Sequence, residues 1–174
     1  EEIYHRTIAI AERIGMPGYH AGNCLELADL LFKQGRFDEA AAAFCSAQQL
    51  AAIVAGEWLA GGDVRFKLAL FDVQLRHAQC QLAREQAVSA IRELLARWCT
   101  PEQQADLHYA AWMIDPALEA DRVEAADFYG SSGAKTSFHR FRRRYHELTG
   151  QLLPELPPLP DLPEVTVELP VDLE

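Results

Sequence analysis

One stretch of this 174-residue chain, residues 27–47, constrains its fold more than any other. Small and apolar side chains recur there at helical spacing on both sides of a glycine, at Leu27, Ala28, Leu31, Gly35, Phe37, Ala40, Phe44 and Ala47. Leu27 and Leu31 would share one helix face, and Gly35 permits a tight turn between two helices. Ala40 is small enough for the two helices to cross closely. The stretch therefore predicts a pair of packed helices.

This pattern resembles the tetratricopeptide repeat (TPR) family. The resemblance implies antiparallel helix pairs that stack into a right-handed superhelix with a concave inner surface, because one pair alone cannot bury its apolar face. It also implies that the chain binds a peptide or protein on that surface. Family members that grip a C-terminal carboxylate use a set of lysines and asparagines that the polar candidates below lack. The resemblance does not extend to that ligand.

The pattern recurs in a weaker form. A shift of 47 residues keeps apolar character, since it aligns Ala28, Leu31, Ala40, Phe44 and Ala47 with Leu75, Ala78, Ala87, Ile91 and Leu94. Leu82 then stands in place of Gly35. A shift of 41 residues aligns the opening helix with residues 50–56, so it resembles the second half of a preceding repeat. These units are longer than the family's repeat of about 34 residues. They resemble the long-helix scaffolds of large bacterial signalling proteins, and residues 107–148 resemble the closing repeats of such scaffolds.

Apolar periodicity, interrupted by glycine and proline, predicts an all-α fold of about eight helices. The predicted helices cover roughly residues 3–14, 19–34, 37–54, 64–82, 85–98, 101–114, 116–129 and 134–148, with a turn at residues 130–133. Thr100 followed by Pro101 is a start signal for the sixth helix. Residues 1–150 are expected to form the helical repeat domain.

Residues 151–174 are expected to form a separate tail. They contain six prolines, six acidic residues and no lysine or arginine. Because proline cannot donate a backbone hydrogen bond, this segment should be extended. Two alternatives stay open: the tail is disordered, or its leucines lie along the helical body, at Leu152, Leu153, Leu156, Leu159 and Leu162.

Charge and cysteine content bear on partners and location. The net charge is −10, but residues 1–150 hold 16 basic and 20 acidic side chains. This overall acidity argues against nucleic acid as the main partner. No apolar run approaches the roughly 18 residues of a membrane span, so no membrane partner is expected. The four cysteines, Cys24, Cys45, Cys80 and Cys99, form no close pair, which indicates free thiols and a cytoplasmic location.

Two polar helix faces are candidates for contacting a partner, one on the second helix and one on the fourth. They consist of Glu26, Asp29 and Lys33, and of Asp72, Arg76 and Gln79. Each set shares one helix face. In the TPR arrangement the first helix of each pair lines the concave surface, so these side chains would face a bound peptide. The alternative is an ordinary solvated helix face.

The last predicted helix is the densest basic segment of the chain, with Arg140, Arg142, Arg143 and Arg144 among aromatic side chains. One hypothesis is nucleic-acid contact through these arginines. The alternative is a capping helix that buries its aromatic stripe and directs the arginines to solvent. A third interpretation has the acidic tail fold back onto them.

Motifs for catalysis and cofactor binding are not recognisable. Residues 130–136 resemble a phosphate-binding loop, but Ala134 stands where a glycine must precede the lysine, and no strand leads into it. The six histidines lack metal-binding spacing, and the serines lie in no nucleophile elbow. We therefore expect a protein-interaction scaffold within a larger bacterial regulatory protein, with no catalytic residue, metal or cofactor. Self-association stays open.

Overall fold

The structure, a computed structural model, describes residues 1–53, 63–98, 100–136 and 138–156. This part contains eight helices and no strand, which confirms the all-α prediction. The helices are α1 (Glu2–Arg13), α2 (Pro17–Lys33), α3 (Phe37–Ile53), α4 (Asp63–Ala78), α5 (Arg84–Leu95), α6 (Pro101–Ile114), α7 (Glu119–Gly133) and α8 (His139–Thr149). As predicted, Thr100 caps α6, because its hydroxyl oxygen accepts a hydrogen bond from the Gln103 amide at 3.3 Å.

Each helix packs on the next one in chain order, from α1 to α8. Two further contacts join alternate helices, α2 with α4 and α4 with α6. The apolar core follows this order in three clusters, which lie between α1 and α4, between α4 and α6, and between α6 and α8. Helix α4 contributes to the first two clusters and α6 to the last two. These shared helices join the three clusters into one continuous stack.

The stretch that predicted a helix pair forms α2 and α3. Ala28 and Ala40 are fully buried in the first cluster, together with Leu27, Leu31 and Phe44. Gly35 ends α2 with φ +74°, a conformation in which a side chain would be strained. The predicted burial and the predicted turn glycine are both confirmed.

The second unit keeps the buried positions but not the turn residue. Ala87, Ile91 and Leu94 are buried in α5, as the shift of 47 residues predicts. At the end of α4, however, the left-handed residue is Cys80 (φ +58°) rather than Leu82. The connection between α4 and α5 is two residues longer than that between α2 and α3. Alignment on the helix ends therefore gives a shift of 45 residues for α2 and α4.

The shift of 41 residues for the opening helix is not matched by burial. It aligns Ala11, which is buried, with Ala52, which is exposed. Gly56, the expected partner of Gly15, lies outside the described residues. Helix α1 nevertheless packs on α2, as the second helix of a preceding pair would.

The predicted turn at residues 130–133 is wrong, because α7 continues to Gly133. A Cβ at Gly130 would lie 2.9 Å from the Tyr145 ring, so this glycine lets α8 approach α7 closely. The chain turns at residues 134–136 instead, and α8 starts at His139. Helix α7 also starts later than predicted, since the Asp115 carboxylate accepts a hydrogen bond from the Ala117 amide at 3.1 Å and holds a turn there.

The first residues of the tail, 151–156, contain no helix, and part of this segment contacts α7 and α8. Leu153 occupies the space beside Gly133, where a Cβ would lie 2.7 Å from its methyl carbon. Arg142 donates hydrogen bonds to the carbonyls of Leu153 (2.7 Å) and Pro154 (2.6 Å). Leu152 points to solvent and is 81% exposed. Leu156 is partly buried, and the last two leucines of the prediction, Leu159 and Leu162, lie outside the described residues.

Candidate partner-binding groove

A groove of about 300 Å³ opens between α2, α4, α6 and α8. Its lining consists of Leu25, Glu26, Asp29 and Lys33 of α2, Phe66, Lys67, Leu70, Phe71 and Gln74 of α4, Asp106 of α6, and His139, Arg140, Arg143 and Arg144 of α8. Helices α2 and α8 do not pack on each other, so they form its two sides. Helix α4 lies between them as the floor.

The α2 side of the groove carries the polar face predicted from the sequence. Glu26, Asp29 and Lys33 all line the groove. Lys33 pairs with Asp29 one turn earlier, and Lys67 on the floor lies 3.8 Å from the Glu26 carboxylate. The charged groups on this side are at least one-third exposed, so a ligand could exchange places with either internal partner at small cost.

The floor of the groove contains three nearly buried apolar side chains, beside the polar Lys67 and Gln74. Phe66, Leu70 and Phe71 are each less than 10% exposed. Phe71 packs in the first core cluster, while Phe66 and Leu70 pack in the second. Both clusters pack against these side chains, and Leu70 and Phe71 keep a small exposed surface toward the groove.

A buried ion pair joins the α8 side of the groove to α6 and α7. Arg144 donates to the Asp106 carboxylate and, at 2.5 Å, to the Tyr129 hydroxyl. That hydroxyl in turn donates to Asp106 at 2.5 Å. The guanidinium also lies over the Tyr109 ring, 4.6 Å from its centre. Because Asp106 is only 6% exposed, this pair anchors α8 to the rest of the stack.

Burial fixes the protonation of this network. It raises the pKa of the Tyr129 hydroxyl well above its ordinary value. Burial, together with a hydrogen bond to Glu147, does the same to the pKa of Tyr109. Burial alone would lower the pKa of Arg144, but the nearby Asp106 and Tyr129 outweigh it and raise that pKa. Both tyrosines therefore stay hydrogen-bond donors, and Arg144 stays charged.

The outer residues of the α8 side are more accessible. Arg140 pairs with Glu102 and lies 3.8 Å from Asp106. Arg143 reaches Glu147 through Nε at 3.4 Å, while its side chain is 43% exposed. His139 precedes Arg143 by one turn and is also exposed. Arg143 and His139 therefore form an accessible row above the buried ion pair.

Four of the sequence-predicted residues do not line the groove. Asp72 and Arg76 pair with each other at 3.5 Å on α4, and Gln79 accepts a hydrogen bond from Gln81. Arg142 lies on another face of α8 and donates hydrogen bonds to the carbonyls of Gly133 and of Leu153 in the tail. A role of these residues in partner binding stays a prediction.

The α4 positions that do line the groove follow from the alignment on helix ends. A shift of 45 residues carries Glu26 to Phe71 and Asp29 to Gln74, and both of these line it. The sequence pattern could have found them if Cys80 had been recognised as the equivalent of Gly35.

A second buried acid was also missed from the sequence. Asp121 of α7 is 3% exposed and accepts hydrogen bonds from Arg92 of α5 and His108 of α6, the latter at 2.7 Å. Burial would raise the pKa of Asp121, but the hydrogen bonds from Arg92 and His108 outweigh it and hold that pKa below its ordinary value. Its burial could have been predicted from the sequence, because Asp121 lies four residues before Ala125 and shares the buried face of α7. This cluster joins three helices and lies away from the groove lining.

The groove has a different charge from the chain as a whole. Its lining holds five lysines and arginines and three acidic side chains, while the whole chain carries −10. On the α8 side three arginines and one aspartate line the groove, and Glu102 and Glu147, which pair with Arg140 and Arg143, lie just outside the lining. The groove lining is therefore more basic in composition than the chain as a whole.

Helix α1 carries a second exposed surface, which we call the α1 face: Ile3, Ile10 and Ile14, together with Tyr19 at the start of α2. Each of these side chains is about half exposed or more. Exposed apolar side chains of this kind are candidates for the self-association that the sequence left open.

Comparisons with protein-family models, with curated proteins and with solved structures find no match to this chain. Within the described residues, no helix combines the length and the apolar character needed to cross a membrane. No cluster of three or more potential metal ligands occurs in the same part of the chain.

Proposed function

We propose that this chain is a TPR-like helical-repeat scaffold that binds a peptide or protein partner in the groove, as part of a larger bacterial regulatory protein. Helix packing supports the architecture. In stacked pairs α2–α3, α4–α5 and α6–α7, the first helices would contact one another in a row, and such contacts join α2 to α4 and α4 to α6. Helix α8, which packs on α7, would then be the cap.

The lining of the groove carries the functional proposal. Residues of α2 and α8 that the sequence singled out separately, among them Glu26, Asp29, Arg140 and Arg143, meet in one concave site. The site has an apolar floor and charged sides, a composition suited to holding a peptide in one orientation. The nucleic-acid alternative has less support, because Arg140, Arg142 and Arg144 bind acceptors within the chain.

Site-specific photocrosslinking in the native cell tests this proposal. A photoreactive residue is placed in the full chain at Glu26, Gln74 or Arg143, one on each surface of the groove. Matched control positions are Gln49 on α3 and Glu93 on α5, which are exposed outside the groove. The proposal predicts the same crosslinked protein from all three groove positions and from neither control. Equal crosslinking from the controls, or crosslinks to nucleic acid from Arg143 alone, would contradict it.

A further inference from the structure

We infer that the groove takes an acidic peptide segment, whose carboxylates face α8 while a neighbouring apolar side chain rests on the floor. This inference rests on the proposed function and adds the chemistry of the partner. Its first support is charge: the lining holds five basic and three acidic side chains on a chain of net charge −10, so an acidic segment is repelled less here than on the rest of the surface.

The α8 side has hydrogen-bond donors left over for such a ligand. Arg143 uses Nε for Glu147, and no other hydrogen bond or ion pair joins its guanidinium to the described residues. Its remaining N–H groups can form a bidentate pair with a carboxylate, through two parallel hydrogen bonds. His139, one turn away, can donate to the same group.

The two other surfaces set the orientation. On the α2 side Glu26 and Asp29 already occupy Lys67 and Lys33, so a ligand carboxylate gains less there than at Arg143 on α8. Between the sides, the small exposed parts of Leu70 and Phe71 offer apolar surface to one side chain of the ligand. An acidic residue adjacent to a leucine or an aromatic residue is the simplest sequence that satisfies both.

Selection from a random peptide library on the full chain identifies the preferred chemistry. We expect enriched peptides in which Asp or Glu flanks an apolar residue. Enrichment of peptides without acidic residues would overturn the inference while leaving the proposed function standing. The absence of any enriched peptide would count against both.

Charge reversal then tests the orientation with the selected peptide. Arg143→Glu should weaken binding by about tenfold or more, the change expected when a hydrogen bond to a charged group is lost. Replacing the peptide's acidic residue by lysine should restore binding to this variant. Arg97→Glu, an exposed arginine outside the groove, is the matched control and should leave the affinity unchanged. Equal losses from both substitutions, or no rescue by the lysine peptide, would contradict an α8-facing carboxylate.

An Arg143→Gln variant separates binding from folding. It removes the charge without adding a like charge beside Glu147, and it should weaken binding with no change in the thermal midpoint of unfolding. Glu26→Lys, on the opposite side, should retain or strengthen binding. A loss of affinity on Glu26→Lys equal to that on Arg143→Glu would contradict the assigned orientation.

Discussion

Removal of the Asp106 carboxylate should destabilise the C-terminal half of the stack more than removal of any exposed acid. Asp106 is 6% exposed, and the side chain of its partner Arg144 is only 17% exposed. Asp106→Ala therefore leaves a guanidinium buried without its counter-charge. The Nε of Arg144 already lacks an acceptor among the described residues, so no nearby group is available to replace the lost carboxylate.

The expected magnitude follows from these contacts. Breaking a buried ion pair by removing one partner costs about 3–5 kcal/mol. Arg144 keeps the Tyr129 hydroxyl at 2.5 Å and the Tyr109 ring at 4.6 Å, which places the expected cost near the lower end, about 3 kcal/mol. The total free energy of unfolding of a domain of this size is about 5–15 kcal/mol. The substitution would thus remove a large part of its stability.

Unfolding in guanidinium chloride, followed by the circular dichroism of the helices, measures this loss. The denaturant concentration at the midpoint should fall, while the slope of the free energy of unfolding against denaturant stays constant. Asp72→Ala, in the half-exposed pair with Arg76, is the matched control and should cost less than about 1 kcal/mol. The double variant Asp106→Ala/Arg144→Met should lose about 2 kcal/mol less than the sum of the single losses, because no charge is then left unpaired. Additive losses, or equal losses from Asp106→Ala and Asp72→Ala, would refute a buried ion pair at this position.

Three further outcomes are expected. Ala40→Leu should cost about 1–3 kcal/mol in the same unfolding assay, since the side chain at 40 is fully buried between α2 and α3; no loss would mean that the helices do not cross there. The lowered pKa of Asp121 means that its carboxylate stabilises the fold above the ordinary carboxyl pKa of about 4. That contribution is lost as the pH falls through the lowered native value, so the stability advantage of the wild type over Asp121→Asn in the same unfolding assay should shrink below about pH 4. Burial raises the pKa of the Cys24 thiol, so iodoacetamide should label Cys45 and Cys80 in the native protein and Cys24 only after unfolding, as peptide mass spectrometry can show.

Local sequence signals predicted most of the fold. Apolar spacing of three and four residues located the helices, and glycines with positive φ, such as Gly35 and Gly150, located several of their ends. These signals depend only on residues close in sequence, so they can be recognised without knowing which helices pack together. They failed at Gly130, where the glycine serves a contact with Tyr145 rather than a turn.

Long-range contacts could not be predicted in the same way. The Asp106–Arg144 pair joins residues 38 apart in sequence, and the Asp121–Arg92 pair joins residues 29 apart. Which acid meets which arginine depends on how α5, α6, α7 and α8 stack, and a helix face alone does not encode this. For the same reason, the α2 side of the groove was identified from the sequence, whereas the contribution of Gln74 depended on the rotation of α4.

The central claim is that the groove, and not the α1 face, is where the partner binds. Methyl NMR of the full chain, labelled at leucine and isoleucine and titrated with the selected acidic peptide, compares the two surfaces in one experiment. We expect shifts at Leu25 and Leu70 and unchanged signals at Ile3, Ile10 and Ile14. Shifts at the three isoleucines, with Leu25 and Leu70 unchanged, would contradict it.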